Sequence, residues 1–307
     1  MESKVLKYDL LLLLTAAIWG FAFVAQRVGM DYLGPFMYNG LRFGLGAITL
    51  LPVMWLRSGS KINNAARQES DGGINLIKGG LIIGVILFCG AAFQQVGLLY
   101  TTAGKAGFIT GLYVVFVPIA GLFFRQHANK GTWIGAVLAL AGLYLLSVTE
   151  NLSVAKGDVL VIVGAFFWTG HVMVIGNYSP KVDPVKLAFY QFVVCAFLSF
   201  FVSFAFETTT FQNILDALIP VLYAGFLSAG VAFTLQVVAQ QKSPPAHASI
   251  IMSLEGLFAV LGGWLILHEV LSDRGIFGCG LMLLGMVLSQ TGRLKAMAVN
   301  SSSVDNI

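Results

Sequence analysis

Residues 185–206 read VKLAFYQFVVCAFLSFFVSFAF. After Lys186 the stretch carries no charge, and at 1.5 Å per residue a helix of this length covers about 33 Å, the thickness of a bilayer's hydrocarbon core. A helix that is apolar all round has no face to give to water. The same signature recurs at 8–28, 35–56, 76–99, 104–124, 131–149, 157–178, 217–240, 246–267 and 275–292. The sequence therefore predicts an all-α membrane protein with ten transmembrane helices. Gly34-Pro35, Ser179-Pro180, Asp183-Pro184 and Ser243-Pro244-Pro245 punctuate the boundaries. Residues 57–75 read as a long polar loop and 296–307 as a short frayed tail.

Composition demands the same solvent. Of 307 residues, 57% are hydrophobic and only 10% charged, where a soluble domain carries about 25% charged residues to wet its surface. Lipid is the main neighbour. The net charge of +4 is spread along the chain, without the concentrated basic face that nucleic acid requires. Cys89, Cys195 and Cys279 all lie in apolar segments and have no metal or redox spacing. Lys4 and Lys7 precede an apolar run, but no small-residue cleavage site follows, so the run reads as a retained first helix rather than a signal peptide.

Lysine and arginine set the orientation. With the N-terminus in the cytoplasm, 13 of the 18 fall on the cytoplasmic side, four (Arg27, Lys105, Lys156, Arg274) on the other, and Arg42 within a span. Both termini are then cytoplasmic, which needs an even number of spans.

The chain also repeats itself. A shift of 149 residues lays Asp9 on Asp158, Trp19 on Trp168, Pro35 on Pro184 and Phe43 on Phe192. A shift of 141 lays Gly84 on Gly225, Gln95 on Gln236, Gly121 on Gly262 and His127 on His268. With a further two residues, Gly135 and Gly142 meet Gly278 and Gly285. Single matches mean little in so biased an alphabet; their shared order over nearly the whole length carries the weight. Five spans per unit is odd, so the second unit (157–292) enters the membrane opposite to the first (8–149), an inverted-topology repeat of the kind that supports alternating access around a midplane site.

With these residues in view the chain resembles the drug/metabolite transporter superfamily, in its ten-helix EamA-type branch. The resemblance rests on Ile18-Trp19-Gly20, Gly40-Leu41-Arg42-Phe43, the run Tyr100–Ala106, Pro118, Ser253-Leu254-Glu255, His268-Glu269 and the Gly278…Gly285 spacing. It covers about residues 8–292. It implies a secondary transporter in the cytoplasmic (inner) membrane, most readily an exporter of amino acids or related metabolites, with multidrug or cationic-amine efflux as the alternative. Where the family often has Glu-Pro, this chain has Glu255-Gly256, without the proline that would bend the helix.

Ionisable groups inside a membrane are costly and are functional candidates by default. Arg42 lies about two turns into its span, with Tyr38, Asn39 and Gly46 on its face. It either grips a carboxylate or phosphate or snorkels to the interface. Glu255 falls mid-span where the repeat has Val114; it is the candidate coupling group, able to bind a proton, hold a substrate amine or pair with Arg42. Gln94, Gln95, Gln191 and Gln236 add polar walls, Gln191 standing where the repeat places Arg42. Trp19, Trp168, His171 and Tyr113 either line the same cavity or pack as ordinary span aromatics.

Other function classes fit less well. An intramembrane enzyme needs a nucleophile, metal set or clustered acids and histidines, but no H-E-x-x-H occurs and the four histidines are scattered. No G-x-x-x-x-G-K-[ST] loop binds ATP, and no cofactor or metal motif is present. The expected partners are a small-molecule substrate and the lipid bilayer, not nucleic acid; a homo-oligomer is neither required nor excluded by the sequence.

Overall fold

A computed structural model describes residues 2–58, 72–101, 103–124, 128–147, 156–266 and 273–304. All regular structure among them is helical: α1 (Glu2–Gly29), α2 (Pro35–Ser58), α3 (Gly72–Gly97), α4 (Ala103–Gly111), α5 (Tyr113–Phe123), α6 (Lys130–Ser147) and α7 (Lys156–Tyr178) precede α8 (Pro184–Phe206). Then follow α9 (Phe211–Asp216), α10 (Leu218–Leu222), a π-helical stretch (Tyr223–Phe233), α11 (Thr234–Ala239), α12 (Pro245–Met252), α13 (Glu255–Ile266) and α14 (Asp273–Val304). Eight segments among the described residues are long and apolar enough to cross a membrane, from Leu6–Gly29 to Pro245–Ile266. Phe197, Phe201 and Phe204 are all more than two-thirds exposed along one side of α8, which makes sense only against lipid. The chain is an all-α, multi-spanning membrane protein.

The expected tail at 296–307 is in part helix: α14 continues to Val304, since no proline or glycine after Gly292 stops it.

Helix contacts fall into pairs. α2 packs on α8, and α6 chiefly on α14; α3 packs on α7 and α8, while the π-helical stretch packs on α1 and α2; α13 packs on α1, and α4 on α7. Glycines set the closest approaches. A Cβ on Gly135 would stand 2.6 Å from the Gly285 carbonyl oxygen, and one on Gly142 would stand 2.5 Å from that of Gly278. Between α2 and the π-helical stretch, Gly46 meets Ala229 and Gly225 meets Leu45 in the same way. Small residues permit this backbone contact, the main source of helix association where lipid is as apolar as leucine.

Two spans break at mid-depth. α4 gives way to α5 at Leu112, and α12 to α13 at Ser253-Leu254. The second break needs no proline: the hydroxyls of Ser249 and Ser253 donate back to the Ala246 and Ile250 carbonyls, and such local bonds bend helices. Gly256 N then donates to Ser253 O at 3.2 Å, closing a tight turn. The π-helical stretch was not foreshadowed in the apolar run 217–240. Its widened turn leaves backbone carbonyls for α1: Ser228 O accepts from Trp19 Nε1 (3.3 Å) and Ala232 O from Thr15 Oγ1 (3.2 Å).

Gly142→Leu forces the α6–α14 backbones apart and is expected to destabilise by about 1–3 kcal/mol. Melting of the purified protein in detergent should fall accordingly. Gly280→Leu, where nothing lies within 4 Å of the added carbon, should leave it unchanged.

Candidate substrate-binding site

The broken helices, α1, α2, α3, α7, the π-helical stretch and α11 surround a cavity of about 440 Å³, counted with its open solvent space. Eight lining residues come from the first half of the chain and eight from the second. Eight of the expected residues meet there: Trp19, Arg42, Gln94, Tyr113, Trp168, His171, Gln236 and Glu255. Repeat-related positions both line it, Trp19 with Trp168, Ala22 with His171 and Phe23 with Val172.

Four expected residues stand behind the lining. Tyr38 is fully buried and its hydroxyl donates to Pro220 O at 3.2 Å. Asn39 Nδ2 donates to Ala91 O at 3.2 Å. Gln95 Nε2 reaches Gln26 O at 3.5 Å, and Gln191 Oε1 lies 2.9 Å from His171 Nε2. Tyr38 and Asn39 precede Arg42 by one turn, but their polar atoms are directed to Pro220 and Ala91, and only the Arg42 side chain lines the cavity.

Gln26, Thr110, Ser228 and Phe233 are lining residues that sequence reasoning missed. A signal for Gln26 existed: positions 19, 22, 23 and 26 make one helical stripe. Gln26 matters most. Its Nε2 donates to Ala22 O at 3.2 Å, which fixes the amide and presents Oε1 as an acceptor. Into Oε1 donate Arg42 Nη1 at 2.8 Å and Gln94 Nε2 at 3.2 Å. The guanidinium also lies 4.4 Å from the centroid of Phe43, a favourable cation–π distance. Arg42 is only 2% exposed, so it is buried on neutral partners rather than snorkelling.

Several buried polar atoms on this lining have no partner: Arg42 Nε, Thr110 Oγ1, Trp168 Nε1, His171 Nδ1 and Gln236 Oε1, while Tyr113 and Glu255 pair with each other. Native structures leave few such atoms, because each costs about 1–3 kcal/mol. Arg42 and Glu255 line the same cavity but make no ion pair with each other among the described residues.

Two further buried carboxylates, Asp9 and Asp158, lie outside the cavity. His247 bridges Asp9 Oδ1 (3.1 Å) and Ser289 Oγ (2.9 Å), tying α1, α12 and α14 together. Thr101 Oγ1 donates to Asp158 Oδ1 at 2.6 Å. No group of three His, Cys, Asp or Glu suited to a metal comes together among the described residues. His127, His268 and Glu269 lie outside the described residues.

The EamA-like transporter family matches residues 6–148 and again 155–291. The chain belongs to this family. An uncharacterized transporter of Archaeoglobus fulgidus is 34% identical over 287 residues, covering 93% of this chain and 86% of the relative. The uncharacterized transporter YoaV of Bacillus subtilis is 24% identical, with 89% and 92% of the two chains covered. The uncharacterized inner membrane transporter YedA of Escherichia coli is also 24% identical, covering 90% and 88%. A crystal structure superposes with a TM-score of 0.74 over 92% of this chain and 97% of its own, at 16% identity, and speaks for the fold alone. As an EamA-like protein, the chain is a small-molecule transporter of the drug/metabolite superfamily and not an enzyme.

Gln26→Leu strips Arg42 of a charge-assisted hydrogen bond worth about 1.5–3 kcal/mol. Thermal melting should register that loss, whereas Gln26→Glu, which supplies an acceptor to the same guanidinium, should not lower the melting temperature.

Proposed function

We propose that this transporter exports an amino acid or a closely related small zwitterion across the cytoplasmic membrane by alternating access. The observation behind this reading is a guanidinium and a carboxyl on one cavity, those of Arg42 and Glu255, with Arg42 Nε unpartnered and no ion pair between the two. A buried charge without a counter-charge is expensive; a ligand carrying a carboxylate and an ammonium compensates both at once. Arg42 takes the carboxylate, steadied by Gln26 and Gln94, and Glu255 takes the ammonium beside Tyr113. Glu255 is also the coupling group, because a carboxyl that holds either a proton or an amine makes the two exclusive. Cationic-amine efflux would use Glu255 and the aromatic walls but leaves Arg42 repelling its own cargo.

The machine is ten spans in two inverted five-helix repeats, 8–149 and 157–292, with both termini cytoplasmic. The paired contacts support it: the main helix contacts of one half have their mates in the other, and Gly135 and Gly142 meet Gly285 and Gly278, their repeat counterparts exchanged. Helices broken at mid-depth beside the cavity are the usual furniture of such sites. The cavity is complete within one chain. The name of the Escherichia coli relative supports the inner membrane.

Reconstituted in proteoliposomes with amino acids inside, Glu255→Gln is expected to abolish flux or its dependence on a pH gradient while the protein still folds. Unchanged flux and pH dependence would remove Glu255 from the mechanism. Arg42→Gln should weaken carboxylate-bearing substrates at least tenfold more than amines without a carboxylate, a difference of about 1.4 kcal/mol; an equal loss on both marks a structural arginine. Cytoplasm-dependent reporters fused within 59–71 and after residue 307 should both be active, and a reporter inserted within 148–155 inactive; any other pattern overturns the orientation.

A further inference from the structure

The two repeat-related tryptophans on the cavity lining are not equivalent. Trp19 Nε1 is occupied by the Ser228 carbonyl at 3.3 Å, whereas Trp168 Nε1 is buried with no partner. Near Trp168 stand two more unpartnered atoms on the lining, and the hydrogen bonds behind them fix what each can do. Gln191 Oε1, 2.9 Å from His171 Nε2, can only accept; the proton therefore sits on Nε2, and the neutral ring leaves Nδ1 as an acceptor. Gln240 Nε2 donates to Val172 O at 3.0 Å, so Gln240 Oε1 must accept from Gln236 Nε2, also at 3.0 Å. That chain turns Gln236 Oε1 free, as a second acceptor. The groups are local to one another: the Trp168 and His171 rings stand 5.6 Å apart, Phe233 lies 6.0 and 5.8 Å from them, and Gln236 follows Phe233 by one turn.

We infer that Trp168, His171 and Gln236 form a second subsite, which reads an uncharged carboxamide at the end of the substrate remote from Arg42. One donor and two acceptors are the complement of a primary carboxamide, whose oxygen accepts from Trp168 and whose two N–H groups donate to His171 and Gln236. A hydroxyl has one proton to give and leaves an acceptor empty. An ammonium leaves Trp168 unmet, and a carboxylate meets two acceptors with no proton. An apolar end strands all three, and a site built to hydrogen-bond rejects analogues lacking the group. The inference rests on the zwitterion reading above for the head group, but the subsite itself belongs to α7 and α11, apart from Arg42.

The test is binding by thermal shift and calorimetry on the purified full chain, with L-asparagine, its isosteres L-aspartate and L-leucine, and the series one methylene longer, L-glutamine, L-glutamate and L-homoleucine. At least one amide is expected to bind about tenfold or more tighter than its hydrocarbon and acid isosteres, the difference one well-made hydrogen bond provides. Trp168→Phe and Gln236→Leu should each reduce that preference to within twofold while melting of the ligand-free protein shows the fold intact. Should either variant fail to fold, the ligand series on the unaltered protein decides alone. Equal binding of leucine and both amides overturns the subsite, as does a preference that survives in folded Trp168→Phe and Gln236→Leu. Succinamate and 3-aminopropanamide, compared with 4-methylpentanoate and 3-methylbutylamine, separate the two readings. If these amides beat their isosteres while no amino acid binds, the zwitterion head group falls and the subsite stands. If no amide of any head group beats its isostere, the subsite falls.

Discussion

The hydrogen bond from Arg42 Nη1 to Gln26 Oε1, 2.8 Å long and shut away from water, governs what the rest of the cavity must supply. A guanidinium in the interior of a membrane protein is tolerated only with several compensating contacts. The Gln26 side-chain carbonyl and the Phe43 ring provide neutral solvation, and the Gln94 amide donates to the same carbonyl oxygen and so shares the acceptor with the guanidinium. None provides a counter-charge. The nearest carboxyl on the same lining belongs to Glu255, on another helix and in the other half of the chain. The guanidinium is tolerated there because the carbonyl dipole and the ring partly solvate it.

Backbone accounting explains how the fold reaches that arrangement. In lipid every peptide group must find a partner within the protein, so a helix can be interrupted only where side chains or neighbouring helices replace the lost bonds. At Ser253-Leu254 the serine hydroxyls and a tight turn do so. In the π-helical stretch Trp19 and Thr15 of α1 do so from across the halves. These substitutions place Glu255 at the first turn of α13 and Phe233 among Trp19, Trp168 and His171. Straight helices would carry the same residues past the cavity on the wrong faces.

Much of this was legible in the sequence, for stated physical reasons. Apolar runs of about twenty residues give spans because bilayer thickness is fixed, and Arg42 and Glu255 stand out because charge is rare there. The stripe from Trp19 to His171 and Trp168 was readable from repeat and periodicity together. Local backbone irregularity was not. The run 217–240 looks like any other apolar helix, and nothing in YAGFLSAGVAF announces a widened turn. Tyr38 and Asn39 share the Arg42 face by spacing, yet their partners decide entry: the phenol is spent on Pro220 and the amide on Ala91. Gln26 was passed over because a glutamine near a span end is ordinary, and only its position opposite the guanidinium makes it otherwise. The helical continuation beyond residue 296 shows the converse error, polar composition standing in for a stop signal that is absent.

Internal duplication accounts for the inequality as much as for the symmetry. Identical residues at repeat-related positions acquire different chemistry from their neighbours. Trp19 sits against the π-helical stretch, which lies in the second half, and loses its donor to Ser228; Trp168 faces α3, regular throughout, and keeps its own. Gln95 spends its amide on the Gln26 carbonyl, while its counterpart Gln236 is turned by Gln240 so that its oxygen is free. Arg42 is answered by Gln191, and Glu255 by Val114. Two similar halves thus give a cavity whose framework is symmetric and whose hydrogen-bonding groups are not. On the alternating-access cycle proposed above, a substrate without a two-fold axis of its own requires that combination, because the same frame would close from either side while the recognising atoms stay in one arrangement.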